Sequence, residues 1–359
     1  MSKLSAKHFV LFIFGVTFIS FKTYSSLFIA EGGRDTWIYT IIAYIVFLAF
    51  AMYLIYIMDS RKTYDLTQIF TLGLSKTLGN ILLFIFSIGL FLAALESATV
   101  EANAIKTNFF IETPVWYILI FFLLPSLFII GKKFTTLLIF VILTSGSLIL
   151  NFINLSLVTE KYKHMKYILP VFGNGIGIEL INTSLLIIGS LSAFVIALPF
   201  LKYLNKNNKL KKHSLIALAI VGFICVYSII GTLATFGPLR ASNIFYPEYV
   251  QSQLVQIGGF LEFGEFFFVF QTLIGMFVKY IIATCGIYLI YEKQIKSRKA
   301  FITIYSIAIF IFACFLSRNN YTLFNVLKYY QYINLVTFVL VPLIAFLSFQ
   351  INVHKISKK

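Results

Sequence analysis

The chain has 359 residues, 60% of them apolar, 18% aromatic and only 12% charged, with a mean hydropathy of +0.92. Soluble domains carry roughly 25% charged and about 45–50% apolar residues, so the composition argues against a water-soluble enzyme. The 29 Lys+Arg against 13 Asp+Glu leave +16; in a soluble protein that excess would suggest nucleic acid, but in a chain this apolar it asks which side of a membrane the cations occupy.

A helix needs about 20 mostly apolar residues to cross the hydrocarbon. Ten segments qualify, at 8–30, 37–58, 79–100, 115–131, 134–158, 180–201, 214–237, 260–291, 300–317 and 333–352. The first follows Met1-Ser-Lys-Leu-Ser-Ala-Lys7 and has no A-x-A-like cleavage site after it, so it reads as a retained span and not a signal peptide. It contains Gly15-Val-Thr17 and then the polar run Ser20-Phe-Lys-Thr-Tyr-Ser-Ser26. Lys22, inside that run, either snorkels to the outer interface or pairs with Glu96, which lies at similar depth in span 3 beside Gly89 and Ala93. Glu101 follows at the outer end of span 3.

Span 6 holds Gly189, Ser190 and Ser192 at mid-depth and Pro199 near its inner end. Small and hydroxyl residues there let backbone groups meet a ligand, although close helix packing accounts for them as well. Cys225, Cys285 and Cys314 lie in apolar runs without C-x-x-C spacing and read as small buried hydrophobes. In span 8, Glu262, Glu265, Thr272, Gly275, Lys279, Ala283 and Gly286 share one helix face, the opposite face being Phe and Ile. Such a polar stripe faces a cavity or the bundle interior, because a charge in lipid costs several kcal/mol. Lys279 is about 15 Å from the inner end of the span, too deep to snorkel fully. It either pairs structurally with a carbonyl or helix terminus, or couples ligand, ion or conformation. Glu262 and Glu265 either line an outer vestibule with Glu101 or cap the start of span 8, where acids suit the helix dipole.

Sorting charge by loop fixes the expected topology. The two ends and the loops 59–78, 132–133, 202–213 and 292–299 hold 19 Lys+Arg, and the alternate loops hold 8; Lys22 and Lys279 lie within spans. Both termini are therefore expected in the cytoplasm, as an even number of spans requires. Of the carboxylates only Asp59, Asp65 and Glu292 fall on the inner side. No stretch is long and polar enough for a soluble domain, so residues 1–359 form one all-α transmembrane domain. Ten spans suit a five-plus-five inverted repeat, in which the first helix of each half is broken and the ligand sits where the breaks meet. That places Gly15, Thr17, Lys22, Glu96, Gly189, Ser190, Ser192, Thr272 and Lys279 around a candidate mid-membrane pocket.

His8, His164, His213 and His354 are scattered, without H-x-x-E or H-E-x-x-H spacing, so no metal site is expected. There is no Gly-rich phosphate loop and no G-x-S-x-G elbow; neither catalysis nor a cofactor is expected. A multispan acyltransferase or glycan polymerase would need a His, Arg or Asp constellation at an aqueous face, and the loops are short and His-poor.

The outer loops resemble those of a known family. Glu31-Gly-Gly-Arg-Asp-Thr-Trp37 resembles the A-x-x-G-R-D-A-W element of the bacterial endospore germination permeases. These are the B subunits of germinant receptors, within the amino acid–polyamine–organocation superfamily. Thr113-Pro114-x-Trp116, Ile168-Leu-Pro-Val171 (similar to the family's L-L-P-V), Phe245-Tyr-Pro247 and Ile257-Gly-Gly-Phe-Leu-Glu262 (similar to I-G-D-F-L-E-R-I-[DE]) follow in order. The sequence departs from the pattern at Gly259, where the family has Asp, at Phe263, where it has Arg, and at Phe21-Lys-Thr-Tyr24, where it has G-x-x-I-L-x-L-P. The resemblance implies a receptor subunit of the spore inner membrane, working with a larger A subunit and a C-subunit lipoprotein. It would bind a small nutrient such as an amino acid between spans 1, 3, 6 and 8 and so trigger germination. A secondary amino-acid transporter of the same superfamily is the alternative.

Overall fold

The structure is a computed structural model that describes residues 4–173, 175, 177–205, 209–257, 261–262 and 264–356. Apolar runs with too few polar groups to satisfy water become helices, since in lipid every backbone N–H and C=O has to be satisfied within the segment. The order is α1 (Ala6–Thr23), α2 (Ser26–Gly32), α3 (Thr36–Arg61), α4 (Leu66–Gly73), α5 (Lys76–Asn108), α6 (Val115–Ile130) and α7 (Phe134–Thr159). Then come α8 (Ile178–Leu191), α9 (Leu210–Ser242), α10 (Pro247–Gln253), α11 (Gly264–Ile290), α12 (Arg298–Leu316), α13 (Asn320–Asn334) and α14 (Val341–Ile356). The helix starts carry hydroxyl, carboxylate or amide caps: Ser5, Asp65, Ser75, Ser297 and Asn319 each accept a first-turn amide.

Among the described residues nine helical stretches are long and apolar enough to cross a membrane, and the chain is a multi-pass membrane protein. The segment expected at 115–131 is α6, which has 16 residues. It rises about 24 Å against a hydrocarbon core of about 30 Å, so by length it falls short of the others.

Three elements dominate the interior: α1, α8 with the 3-10 turn that continues it over Ser192–Tyr203, and α11. α11 packs against α5, α1 and α7, while α12 lies at the periphery. Outward side chains such as Phe121, Phe128, Leu143, Leu157 and Phe223 stay exposed, as a lipid-facing surface requires. Glycines let helices approach: a Cβ on Gly189 would strike the backbone carbonyl of Gln331 in α13.

The interruptions matter most for function. The first span is broken at Tyr24–Ser25, between α1 and α2, and not at Gly15-Val-Thr17, which is regular helix. The reason is local: the Thr17 hydroxyl donates to the Ile13 carbonyl at 2.6 Å, a bond compatible with helix, and Gly15 is filled from outside by Val278 and Ser145. The sixth span changes from α-helix to 3-10 helix at Ser192, within the small-residue run. In α9, Gly237 at φ 72° makes a kink before Pro238. Between α10 and α11, β1 (Gln256–Ile257) pairs antiparallel with β2 (Leu261–Glu262). Glu262 therefore does not sit on α11, as the continuous stripe had implied; the helix begins at Gly264.

Candidate functional site

Where α1 meets α5, α10 and α11, two lysines and two carboxylates are buried together. Lys279 lies about 16 Å from the Ile290 end of α11 and is 1% exposed. Its ammonium donates to Glu96 Oε2 at 2.7 Å and to Ser20 Oγ at 2.6 Å. Glu96 Oε1 accepts from the Tyr24 hydroxyl at 3.0 Å, and that hydroxyl accepts from Gln331 Nε2 at 3.2 Å. The polar run of the first span explains this side: Ser20 and Tyr24, four residues apart, present one face to α5 and α11. The break at Tyr24 sets that ring between Glu96 and α13.

Lys22, from the other side of α1, donates to Gln271 Oε1 at 2.7 Å and lies 3.4 Å from Glu248 Oε1. Its ammonium also sits 4.8 Å above the Phe152 ring, a favourable cation–π geometry. Glu248 accepts from Ser228 Oγ at 2.9 Å and from Gln271 Nε2 at 3.2 Å. The suggested Lys22–Glu96 pair is therefore replaced by two pairs, Lys22–Glu248 and Lys279–Glu96. Ser20 and Tyr24 point to Glu96, while Lys22, two residues along, is turned about 200° around the helix. The two lysines and two carboxylates cancel in charge, which is what allows them to stay buried.

A plug of polar groups lies between this centre and the exposed Glu160. Lys163, 4% exposed at its side chain, donates to Glu160 Oε2 at 2.7 Å and to the Tyr227 hydroxyl at 2.6 Å. The cavity shared by Lys22, Glu248, Lys163 and Tyr227 is about 20 Å³, room for one water. The centre is thus occluded on this side.

The remaining expected residues are distributed around it. Ser192 Oγ donates to the Gly189 carbonyl at 2.6 Å. Ser190 and Thr272 are buried with hydroxyls that have no hydrogen-bond partner among the described residues, a cost unless a water or ligand reaches them. Gly15 and Gly189 serve close packing, and Thr17 bonds back into α1. Glu265 is held at the start of α11 by Gln253 Nε2 at 2.8 Å and the Tyr249 hydroxyl at 3.3 Å. Burial and the neighbouring Glu265 carboxylate push the Tyr249 hydroxyl up to about 12, so it stays a donor. Glu101 is on the wall of an apolar groove that Glu265 does not line. The Glu262 side chain, Gly259 and Phe263 lie outside the described residues.

Sequence reasoning missed Glu248, Gln271, Ser228 and Gln331 as members of the centre. Glu248 had a usable signal: Tyr-Pro-Glu starts a helix with Pro at its first position and an acid in the first turn. Gln271 stands beside Thr272, in the helix that carries Lys279.

The comparisons agree with the resemblance read from the loops. A sequence model of the family described as spore germination protein matches residues 5–322. The chain is 32% identical over 91 residues to Spore germination protein XB of Bacillus anthracis, an overlap of 24% of this chain and 26% of that protein. The match spans about a quarter of the curated relative's length.

Proposed function

Since the chain belongs to the spore germination protein family, we propose that it is the permease-like subunit of a germinant receptor, sensing a small zwitterionic nutrient of the amino-acid class at the buried ion-pair centre. The family is one of membrane-embedded germination proteins and not an enzyme class. On this reading α6 completes the set of ten spans, as the fourth in chain order, and both termini are cytoplasmic. The fold is a five-plus-five inverted repeat, and the chain sits in the spore inner membrane with a larger A subunit and a C-subunit lipoprotein. The interruptions at Tyr24–Ser25 and at Ser192, in the first helix of each half, favour that plan.

The observation that carries the proposal is the pairing of Lys279 with Glu96 and of Lys22 with Glu248 on either side of α1. An amino acid brings one ammonium and one carboxylate. It can take over one carboxylate and one lysine from these internal pairs without leaving any buried charge uncompensated, a condition that a singly charged solute cannot meet. The hydroxyls of Ser190 and Thr272, unpartnered among the described residues, offer further hydrogen bonds. With the cavity above Lys22 only about 20 Å³, the nutrient has to bind a more open state. It then shifts the equilibrium by its difference in affinity for the two states, and tight binding alone shifts nothing.

The test is germination of a strain lacking this gene against a panel of amino acids and other nutrients. One or more responses should be lost, and restored by wild-type chain but not by an accumulating Lys279→Met variant. Steady amino-acid uptake by vesicles containing this chain alone would instead favour a secondary transporter of the same fold.

A further inference from the structure

A second pocket lies away from the ion-pair centre. Between α5, α6, α7 and α11 runs a groove of about 470 Å³ whose walls include Ile105, Tyr117, Phe122, Ile274 and Phe277. That volume is within the range of small-molecule sites. Tyr117, Phe121 and Leu273 line it and are exposed, so the groove opens sideways, on the face that meets lipid. Among the described residues one carboxylate lines these apolar walls: Glu101, 1% exposed, with both oxygens buried and neither in a hydrogen bond to a described residue. Glu96 and Glu248 each meet a lysine. Tyr246 and Asn103 are committed elsewhere: Tyr246 donates to Asn103 Oδ1 at 2.5 Å, and Asn103 donates to Asn320 and the Ser317 carbonyl.

We propose that this groove is a binding site for a small apolar primary amine, whose ammonium pairs with Glu101 and whose hydrocarbon or aromatic body lies along Phe122, Ile274 and Phe277. A buried carboxylate with no partner is costly, and a cation that arrives with its own apolar body removes that cost without a second charged group in the walls. A primary ammonium carries three N–H donors for the two free oxygens. A neutral alcohol brings no charge, and a zwitterionic amino acid would set its carboxylate against Glu101 in apolar surroundings. A phosphatidylethanolamine headgroup has the ammonium but also a phosphate beside it, which Glu101 would repel. The site is thus separate from the amino-acid site proposed above and does not rest on it.

The experiment uses the full chain in phosphatidylcholine nanodiscs, with 2-phenylethylamine as probe and the thermal unfolding midpoint as readout. Phenylethylamine should raise the midpoint saturably, as a ligand of the folded state does, and 2-phenylethanol should not. Glu101→Gln, which removes the charge and keeps the shape, should raise the half-saturating amine concentration at least tenfold while leaving the unliganded protein no less stable than wild type. Ile274→Trp, which fills the groove and retains Glu101, should weaken binding similarly. An equal midpoint shift with the alcohol or in Glu101→Gln, or no saturable shift in wild type, overturns the proposal. So does loss of the amine effect in discs containing phosphatidylethanolamine, which would make the lipid headgroup the occupant. An amine effect preserved in Lys279→Met, with amino-acid sensing abolished, would separate this site from the ion-pair centre.

Discussion

Lys279→Met is the most informative single perturbation of the buried centre. It removes the ammonium that donates to Glu96 and Ser20 and leaves Glu96, itself buried, with the Tyr24 hydroxyl as its close donor. Removing one member of a buried pair costs about 3–5 kcal/mol, because the other charge stays behind uncompensated. Glu96→Leu should cost a similar amount by stranding Lys279. The double replacement leaves no stranded charge, only the orphaned Tyr24 and Ser20 groups at about 1–3 kcal/mol. It should therefore cost several kcal/mol less than the sum of the singles. Reversible unfolding of the purified chain in mixed micelles measures all four corners of the cycle. Additivity to within about 0.5 kcal/mol would refute the pairing. A parallel cycle on Lys22 and Glu96, which do not pair in the structure, should be close to additive.

The other expectations concern neighbouring parts of the same centre. Tyr24→Phe removes the donor to Glu96 and the acceptor for Gln331; the loss should be about 1.5–3 kcal/mol, the range for a bond to a charged group, in the same unfolding assay. Gly189→Ala places a methyl against the Gln331 carbonyl and should destabilise by about 1–3 kcal/mol, with a lowered unfolding midpoint and weakened germination. Lys163→Met unpicks the Lys163–Tyr227–Glu160 plug, so a cysteine placed at Ser228 should react faster with a polar thiol reagent added on the Glu160 side; an unchanged rate would remove the plug from the occlusion.

Much of the helical layout was legible from hydrophobic length alone. Nine of the ten expected spans correspond to long apolar helical stretches, and α6 falls short only in length. The polar face of span 8 also pointed to Lys279 as an interior residue, because a periodicity of 3.6 is local information. Partner choice was not legible. Lys22 and Gln271 are 249 residues apart, and Lys279 and Glu96 are 183 apart; helix packing decides which charges meet, and no local pattern encodes it. The Lys22–Glu96 guess used similar depth as a proxy for contact and failed because depth says nothing of azimuth around α1. The break at Tyr24–Ser25 was foreshadowed by the polar run but not located by it. Glu248 was hidden by its place in a loop: α10 folds back into the bundle and buries a carboxylate that sequence position assigned to water.

Equilibrium binding of the germinant to the purified chain is the most direct test of nutrient sensing at this centre. The ligand to use is the amino acid to which the deletion strain no longer responds. It should bind the chain without other subunits, and at least tenfold more weakly when Lys279 is replaced by Met in a variant that remains folded. Absence of binding to the isolated chain, or undiminished binding to that variant, would contradict the ion-pair centre as the site of recognition.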